Sequence, residues 1–255
     1  MGFTVIIPAR HASTRLPGKM LLSMAGKPMI QHVYERASQS GADRVIIATD
    51  HQDIVNATKA FSGEVILTSE KHSSGTERIA EVVETLSLDD KTIIVNVKGD
   101  EPLIEPELIN CVANNLEANS DASIATVSTP ISSIEEFKNP NVVKVVMDSN
   151  NHALYFSRAP IPWPRDRFQI NDNEDVPGYG ENFFRHIGIY AYRSKFIKTY
   201  VSLPPSQLEK IEALEQLRAL SNSYKISVHI SEKSSGFGVD TQEDFDKVKD
   251  IIERN

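Results

Sequence analysis

Short apolar runs and amphipathic stretches alternate along the first half of the chain. Residues 3–7 (FTVII), 44–49 (RVIIAT), 64–68 (EVILT) and 92–98 (TIIVNVK) are rich in β-branched residues, which predicts buried strands. Between them, residues 28–40 place Met29, Ile30, Val33, Tyr34 and Ala37 on one helical face ahead of Gly41. Residues 52–61 suit a second helix. In a third, Ile79, Val82, Val83 and Leu86 recur at i, i+3, i+4 and i+7, and Ser73 or Ser74 is placed to cap its free amides. A helix over 106–118 and a strand over 122–128 continue the pattern. The alternation predicts an α/β fold, a mostly parallel sheet with helices on both faces.

The order then changes. Residues 142–147 and 152–156 flank Asp148-Ser149-Asn150-Asn151 and read as a hairpin. Residues 158–184, with Pro160, Pro162 and Pro164, form a long irregular stretch of the kind that serves function or acts as an interaction arm, partly disordered around 169–181. Trp163, the only tryptophan, is expected at a lobe or subunit contact. In residues 184–192, strand alternation sets His186, Gly188 and Tyr190 opposite Ile187 and Ile189, so His186 and Tyr190 line a cleft. His186 taken alone better suits a hydrogen-bonded structural histidine. Residues 207–220 read as one amphipathic helix, with Leu208, Ile211, Leu214 and Leu217 inward and most of Glu209, Glu212 and Glu215 on its solvated face. A strand at 225–230 precedes a final helix, for which Asp240 or Thr241 is a plausible cap.

Candidate chemistry gathers where strands end. After the first strand, Pro8 withholds a backbone donor, and PARHASTRLPGK (residues 8–19) leaves the sheet carrying Arg10, Arg15 and Lys19. Open α/β sheets bind ligands at such carboxyl edges. Arginine offers a planar fork to phosphate and lysine a point charge. The segment fits neither the P-loop nor the dinucleotide fingerprint, yet it suits a polyphosphate. Ser73-Ser74-Gly75 with Arg78 suits either a helix cap or the edge of a nucleobase. Asp100 follows the most strand-like run, where a metal or ribose ligand would sit, and Asp240 is a distant carboxylate that could join it around magnesium, which needs only one or two carboxylates beside substrate phosphates.

Composition narrows the field. Of 255 residues, 27 are Lys or Arg and 35 Asp or Glu, a net charge of −8 that argues against broad nucleic-acid binding. One cysteine, Cys111, allows no internal disulfide, which fits an intracellular protein. No apolar run approaches the ~20 residues of a membrane span, and neither a signal peptide nor the myristoylation pattern is expected at the amino terminus.

Taken together, PARHASTRLPGK (8–19), HSSGTER (72–78), GDEPL (99–103), LYFSR (154–158), RHIGIY (185–190), LEQLR (214–218) and GVDT (238–241) resemble the 3-deoxy-manno-octulosonate cytidylyltransferase (CMP-Kdo synthetase) family from about residue 2 to 253. The resemblance implies a single nucleotidyltransferase domain over 1–255 of the nucleotide-diphospho-sugar transferase type, with an inserted substrate and dimerisation lobe around 130–200. It implies a Mg2+-dependent cytoplasmic enzyme, typically a homodimer, that makes CMP-Kdo and pyrophosphate from CTP and Kdo for lipopolysaccharide synthesis. By the same resemblance Arg10 and Lys19 clamp the triphosphate, Ser74 and Arg78 lie near cytosine and ribose, and Asp100 and Asp240 hold Mg2+. Arg158, His186, Tyr190, Glu215 and Gln216 form the sugar-acid pocket, with Arg158 placed to meet the Kdo carboxylate. The family usually has Gln before GDEP, and this chain has Lys98, which could pair with Asp100 in competition with magnesium or grip the sugar carboxylate or a phosphate. Two alternatives stay open: a related acid sugar (8-amino-Kdo or a sialic-type acid), or a CTP-binding protein of low activity because of Lys98.

Overall fold

A computed structural model describes residues 2–165, 182–233, 236 and 238–254. The expectation of disorder at 169–181 lies outside the described residues. The strands are β1 (Phe3–Ala9), β2 (Ser23–Met24), β3 (Lys27–Pro28), β4 (Arg44–Thr49), β5 (Glu64–Leu67), β6 (Ile93–Asn96), β7 (Ile124–Pro130), β8 (Lys144–Met147), β9 (Ala153–Ser157), β10 (Phe184–Arg193) and β11 (Ile226–Ile230). The helices are α1 (Met29–Ser38), α2 (Gln52–Ala60), α3 (Gly75–Thr85), α4 (Pro106–Ala118), α5 (Ile134–Lys138), α6 (Ser194–Tyr200), α7 (Gln207–Glu212), α8 (Leu217–Ser221) and α9 (Gln242–Arg254).

The main sheet runs β11-β7-β10-β6-β1-β4-β5. β1 is parallel to β4 and β6, β4 to β5, and β7 to β11. β10 enters antiparallel between β6 and β7, so the sheet is mostly parallel, as the alternation predicts. Side-chain alternation builds the two cores. Val5 and Ile7 of β1 face Met29, Val33, Leu108, Val112 and Phe245, while Ile6 faces the other way with Ile79, Val82 and Val83. Helices therefore cover both faces of the sheet.

The β8–β9 hairpin is present as predicted and docks on the start of β10, where Phe184 pairs with Val145 and Arg185 with Lys144. β10 pairs with β7 along its length, with a register shift between Ile187 and Tyr190, and with β6 from Tyr190 onward. Ile187 and Ile189 are buried in one core and His186 and Tyr190 point away from it, in keeping with the predicted alternation.

The single helix expected over 207–220 is not formed. α7 ends at Ala213, whose φ of 51° is left-handed, and α8 starts only at Leu217. The break turns the predicted inner face outward: Ile211 is 78% exposed and Leu208 43%, while Leu214 and Leu217 stay buried. The glutamates are not a solvated row either. Glu209 completes a capping box with Ser206 and pairs with Arg218. Glu212 accepts from the Ser157 hydroxyl and the Arg158 backbone, and Glu215 turns into the protein. No helix among the described residues is long and apolar enough to cross a membrane.

Candidate active site

The carboxyl ends of β1 and β6 and the amino end of α3 open on a cleft of about 340 Å3 lined by Arg10, Arg15, Lys19, Ser74, Arg78, Lys98, Asp100 and Asp240. These residues come from widely separated parts of the chain, and the parallel topology is what delivers them to one edge. Gly99 lets the turn after β6 cross β1 closely, since a Cβ there would lie 3.0 Å from Pro8 O.

Lys19 is the centre of this cleft. It is buried, and its Nζ donates to Asp100 Oδ2 at 2.7 Å, to the Val239 carbonyl at 2.8 Å and to Asp240 Oδ1 at 3.0 Å. Arg15 adds a second cation on Asp240 Oδ2 at 2.9 Å. Burial acts to raise the Asp240 pKa, but Lys19 and then Arg15 outweigh it and hold the carboxyl below its ordinary value. Asp100 and Asp240 thus converge as expected, on an ammonium of the chain itself. Their hard oxygens, aimed at one point, are the donor type magnesium takes, so these two residues fit a Mg2+ site. Of the two expected caps it is Thr241 that caps α9, its hydroxyl accepting from the Asp244 amide at 3.2 Å, while Asp244 Oδ2 accepts in return from the backbone amides of Asp240 and Thr241.

Ser74 is the cap of α3, its hydroxyl accepting from the Glu77 amide at 3.2 Å, and it borders the same cleft. Cap and lining residue coexist. Arg78 is buried and donates to Asp50 Oδ2 at 2.7 Å, while Asp50 Oδ1 accepts from the His11 amide at 3.1 Å. Asp50, at the end of β4, therefore ties the cationic loop to α3. Sequence reading passed over it, although its place at the carboxyl edge of a central strand was a signal. Arg10 lies exposed on the loop with its side chain bordering the cleft.

A second cavity of about 460 Å3 lies beside the first, lined by Arg158, His186, Gly188, Tyr190, Glu215 and Gln216 together with Lys98 and Glu101. All five residues expected in a sugar pocket meet here. His186 Nε2 is 2.9 Å from Thr126 Oγ1, and burial first, then the Lys98 charge, push its imidazole down to about 3, so it is neutral at physiological pH. Burial raises the Tyr190 phenol well above its ordinary range and raises the Glu215 carboxyl. Among the described residues, Glu215 Oε1 and Gln216 Nε2 are buried without a hydrogen-bond partner. Orphaned acceptor and donor atoms in a cavity wall are what a hydroxylated ligand would satisfy.

Lys98 does not pair with Asp100, whose carboxylate is engaged by Lys19. Its Nζ lies 3.4 Å from Glu101 Oε1, and the side chain stands where the two cavities adjoin. Glu101 and Glu212 join Asp50 as site residues that motif reading did not single out. Outside these cavities, His11, His51 and Asp53 bring three possible metal ligands together. The two imidazoles stack at 3.8 Å and 15°, however, so their in-plane lone pairs run side by side and do not aim at one ion.

The cytidylyltransferase family model matches residues 4–226. A 3-deoxy-manno-octulosonate cytidylyltransferase of Yersinia enterocolitica serotype O:8 / biotype 1B is 57% identical over 252 residues, 99% of each chain. One from Histophilus somni (strain 2336) is 53% identical over 254 residues, again 99% of each. Among solved structures, a CMP:2-keto-3-deoxy-manno-octonic acid synthetase complexed with CTP superposes with a TM-score of 0.89 at 39% identity, covering 100% of this chain and 99% of that one. A cytidylyltransferase of Leptospira borgpetersenii, at a TM-score of 0.64 and 18% identity, covers 100% of this chain and 88% of its own and shares the fold.

Proposed function

The chain belongs to the 3-deoxy-manno-octulosonate cytidylyltransferase family, and from that premise we propose that it joins CTP and Kdo into CMP-Kdo with release of pyrophosphate, for lipopolysaccharide synthesis. The observation that carries the reading is the adjacency of a cationic cleft, at the carboxyl ends of the parallel strands, to a cavity with orphaned hydrogen-bonding atoms. The first suits a triphosphate and the second a polyhydroxylated acid.

In this reading the anomeric hydroxyl of Kdo attacks the α-phosphorus of CTP in line, the bond to the β-phosphate oxygen breaks, and pyrophosphate leaves. Arg10 binds the triphosphate, and Lys19, whose donors are held by Asp100, Val239 and Asp240, adds its positive charge against the departing group, while Ser74 and Arg78 border the nucleoside. Glu215 and Gln216 pair with sugar hydroxyls, and neutral His186 and Tyr190 wall the cavity. Alignment and charge neutralisation account for most of the acceleration. Asp100 and Asp240 would hold Mg2+, which supplies polarisation of the phosphate oxygens when bound.

The experiment is pyrophosphate release from CTP and Kdo with Mg2+, for the wild-type chain and Asp100→Asn. Turnover that falls at least ~100-fold in the variant is expected, since a metal contact to a reacting phosphoryl group contributes several kcal/mol. No release by the wild-type protein at high concentration rejects the activity. A variant of unchanged rate takes Asp100 out of the metal site.

The chain also works as a homodimer of the cytoplasm in this reading. Leu154 and Trp163, 63% and 61% exposed on and beside the β8–β9 hairpin, offer apolar surface for a second subunit. Sedimentation equilibrium tests the assembly: a single species of monomer mass removes the dimer.

A further inference from the structure

One cation borders both cavities. The Lys98 side chain is about half exposed (49%), and its ion-pair partner among the described residues is Glu101, at 3.4 Å. An ammonium has three N–H donors. Lys19 uses all of its own on Asp100, Val239 and Asp240. Among the described residues only Glu101 takes a donor of Lys98, so at least two stay open there. Burial works against its charge, but Glu101 and Asp100 outweigh it and hold the group protonated.

The other cations of the second cavity, Arg158 and Arg185, are less available: Arg185 Nη1 already pairs with Glu136 Oε1 at 3.2 Å. Arg158 Nε donates to the Glu212 carbonyl at 2.8 Å and Nη1 to the Pro140 carbonyl at 3.1 Å. The side-on fork that grips a carboxylate bidentately is thus half used before any ligand arrives. Lys98 owes its position to a missing side chain. A Cβ on Gly188 would lie 2.6 Å from Lys98 Nζ and 3.2 Å from its Cε. Because those atoms end a flexible chain, an alanine there would displace the ammonium and leave the strand in place.

We propose that Lys98, not Arg158, is the cation that receives the carboxylate of the acid sugar, and that Gly188 is the positioning residue that gives its ammonium room over β10. The inference rests on the sugar-acid reading above and deepens it. A carboxylate held at the border of the two cavities keeps the neighbouring anomeric hydroxyl close to the nucleotide cleft. It also sets specificity, since a neutral sugar would leave the ammonium's spare donors without an anion to receive them.

The test is steady-state kinetics with CTP and Kdo for the wild-type enzyme, Lys98→Gln, Gly188→Ala and the double variant, with the Kdo carboxamide as a neutral competitor. Lys98→Gln is expected to raise the KM for Kdo roughly ten-fold or more, as loss of a hydrogen bond to a charged group does, with the KM for CTP unchanged. It should also lose the wild-type preference for the acid over the carboxamide. Gly188→Ala should raise the KM for Kdo in the wild-type background and by clearly less when Lys98 is already Gln. An unchanged KM for Kdo in Lys98→Gln, an equal rise in the KM for CTP, or additive effects of the two changes would each overturn the assignment. Each of those results leaves the reaction itself standing, whereas a wild-type protein without turnover removes the reaction and this inference with it.

Discussion

Lys19 Nζ lies 2.7 Å from Asp100 Oδ2, a contact between positions 81 residues apart. The same nitrogen reaches Asp240 Oδ1 at 3.0 Å, so two carboxylates share one internal cation in the free protein.

Removing that cation should leave two acidic groups facing each other. Lys19→Met is expected to cost about 1–3 kcal/mol, less than a fully buried pair because Asp240 is half exposed. Mg2+ without nucleotide should restore much of the loss in the variant, since a divalent ion can take the vacated position between the same oxygens. Urea denaturation with and without Mg2+ measures both effects. Equal stability of the two proteins, or a variant indifferent to Mg2+, would show that the carboxylates do not need a shared cation.

The convergence of Lys19, Asp100 and Asp240 was legible because Lys19 and Asp100 sit in motifs that follow strands of a parallel sheet, which gathers its strand ends, and Asp240 sits in a motif just ahead of the last helix. The β8–β9 hairpin and the two faces of β10 were legible from period-two patterning. What failed was the stretch over 207–220, where apolar residues at helical spacing gave no sign that Ala213 adopts a left-handed conformation. Helical spacing records which residues are apolar, and only the chain's neighbours decide whether the helix continues. Asp50 and Glu212 escaped for a related reason: their partners, Arg78 and Arg158, are set by tertiary packing across 28 and 54 residues.

The broken helix gives a direct contrast. Leu208, Ile211, Leu214 and Leu217 look alike in the sequence, yet Ile211 is 78% exposed and Leu214 only 7%. Ile211→Gln should change stability by no more than about 0.5 kcal/mol, the usual range for a surface site. Leu214→Ala should cost about 2–4 kcal/mol. Denaturation midpoints of the two variants decide, and comparable losses would mean that Ile211 is covered in solution.

His186 ties stability to pH. Burial and the nearby Lys98 charge lower its pKa from the ordinary 6.5 to about 3. Between those values the unfolded chain binds a proton that the folded chain refuses, so stability falls as pH drops from 6.5 towards 3. At pH 5 the loss from this group reaches up to about 2 kcal/mol. His186→Gln keeps a polar side chain near Thr126 and removes the titration, so it should lose less stability than wild type between pH 7 and pH 5. Identical losses would place the acid sensitivity elsewhere.

Asp50 couples stability to nucleotide binding. Its Oδ2 holds the Arg78 guanidinium, whose side chain is 4% exposed, and its Oδ1 holds the His11 amide of the cationic loop. Asp50→Ala strands a buried charge, which costs roughly 3 kcal/mol or more, and frees the loop that carries Arg10, Arg15 and Lys19. Asp50→Asn keeps an acceptor for one partner and should lose less of both. The expected kinetic signature is a higher KM for CTP with the KM for Kdo little changed, because the tether acts on the first cavity and not on the second. Thermal melts beside steady-state kinetics separate the two effects. If Asp50→Ala melts early yet binds CTP as well as wild type, the residue secures the fold alone and the loop holds its shape without it.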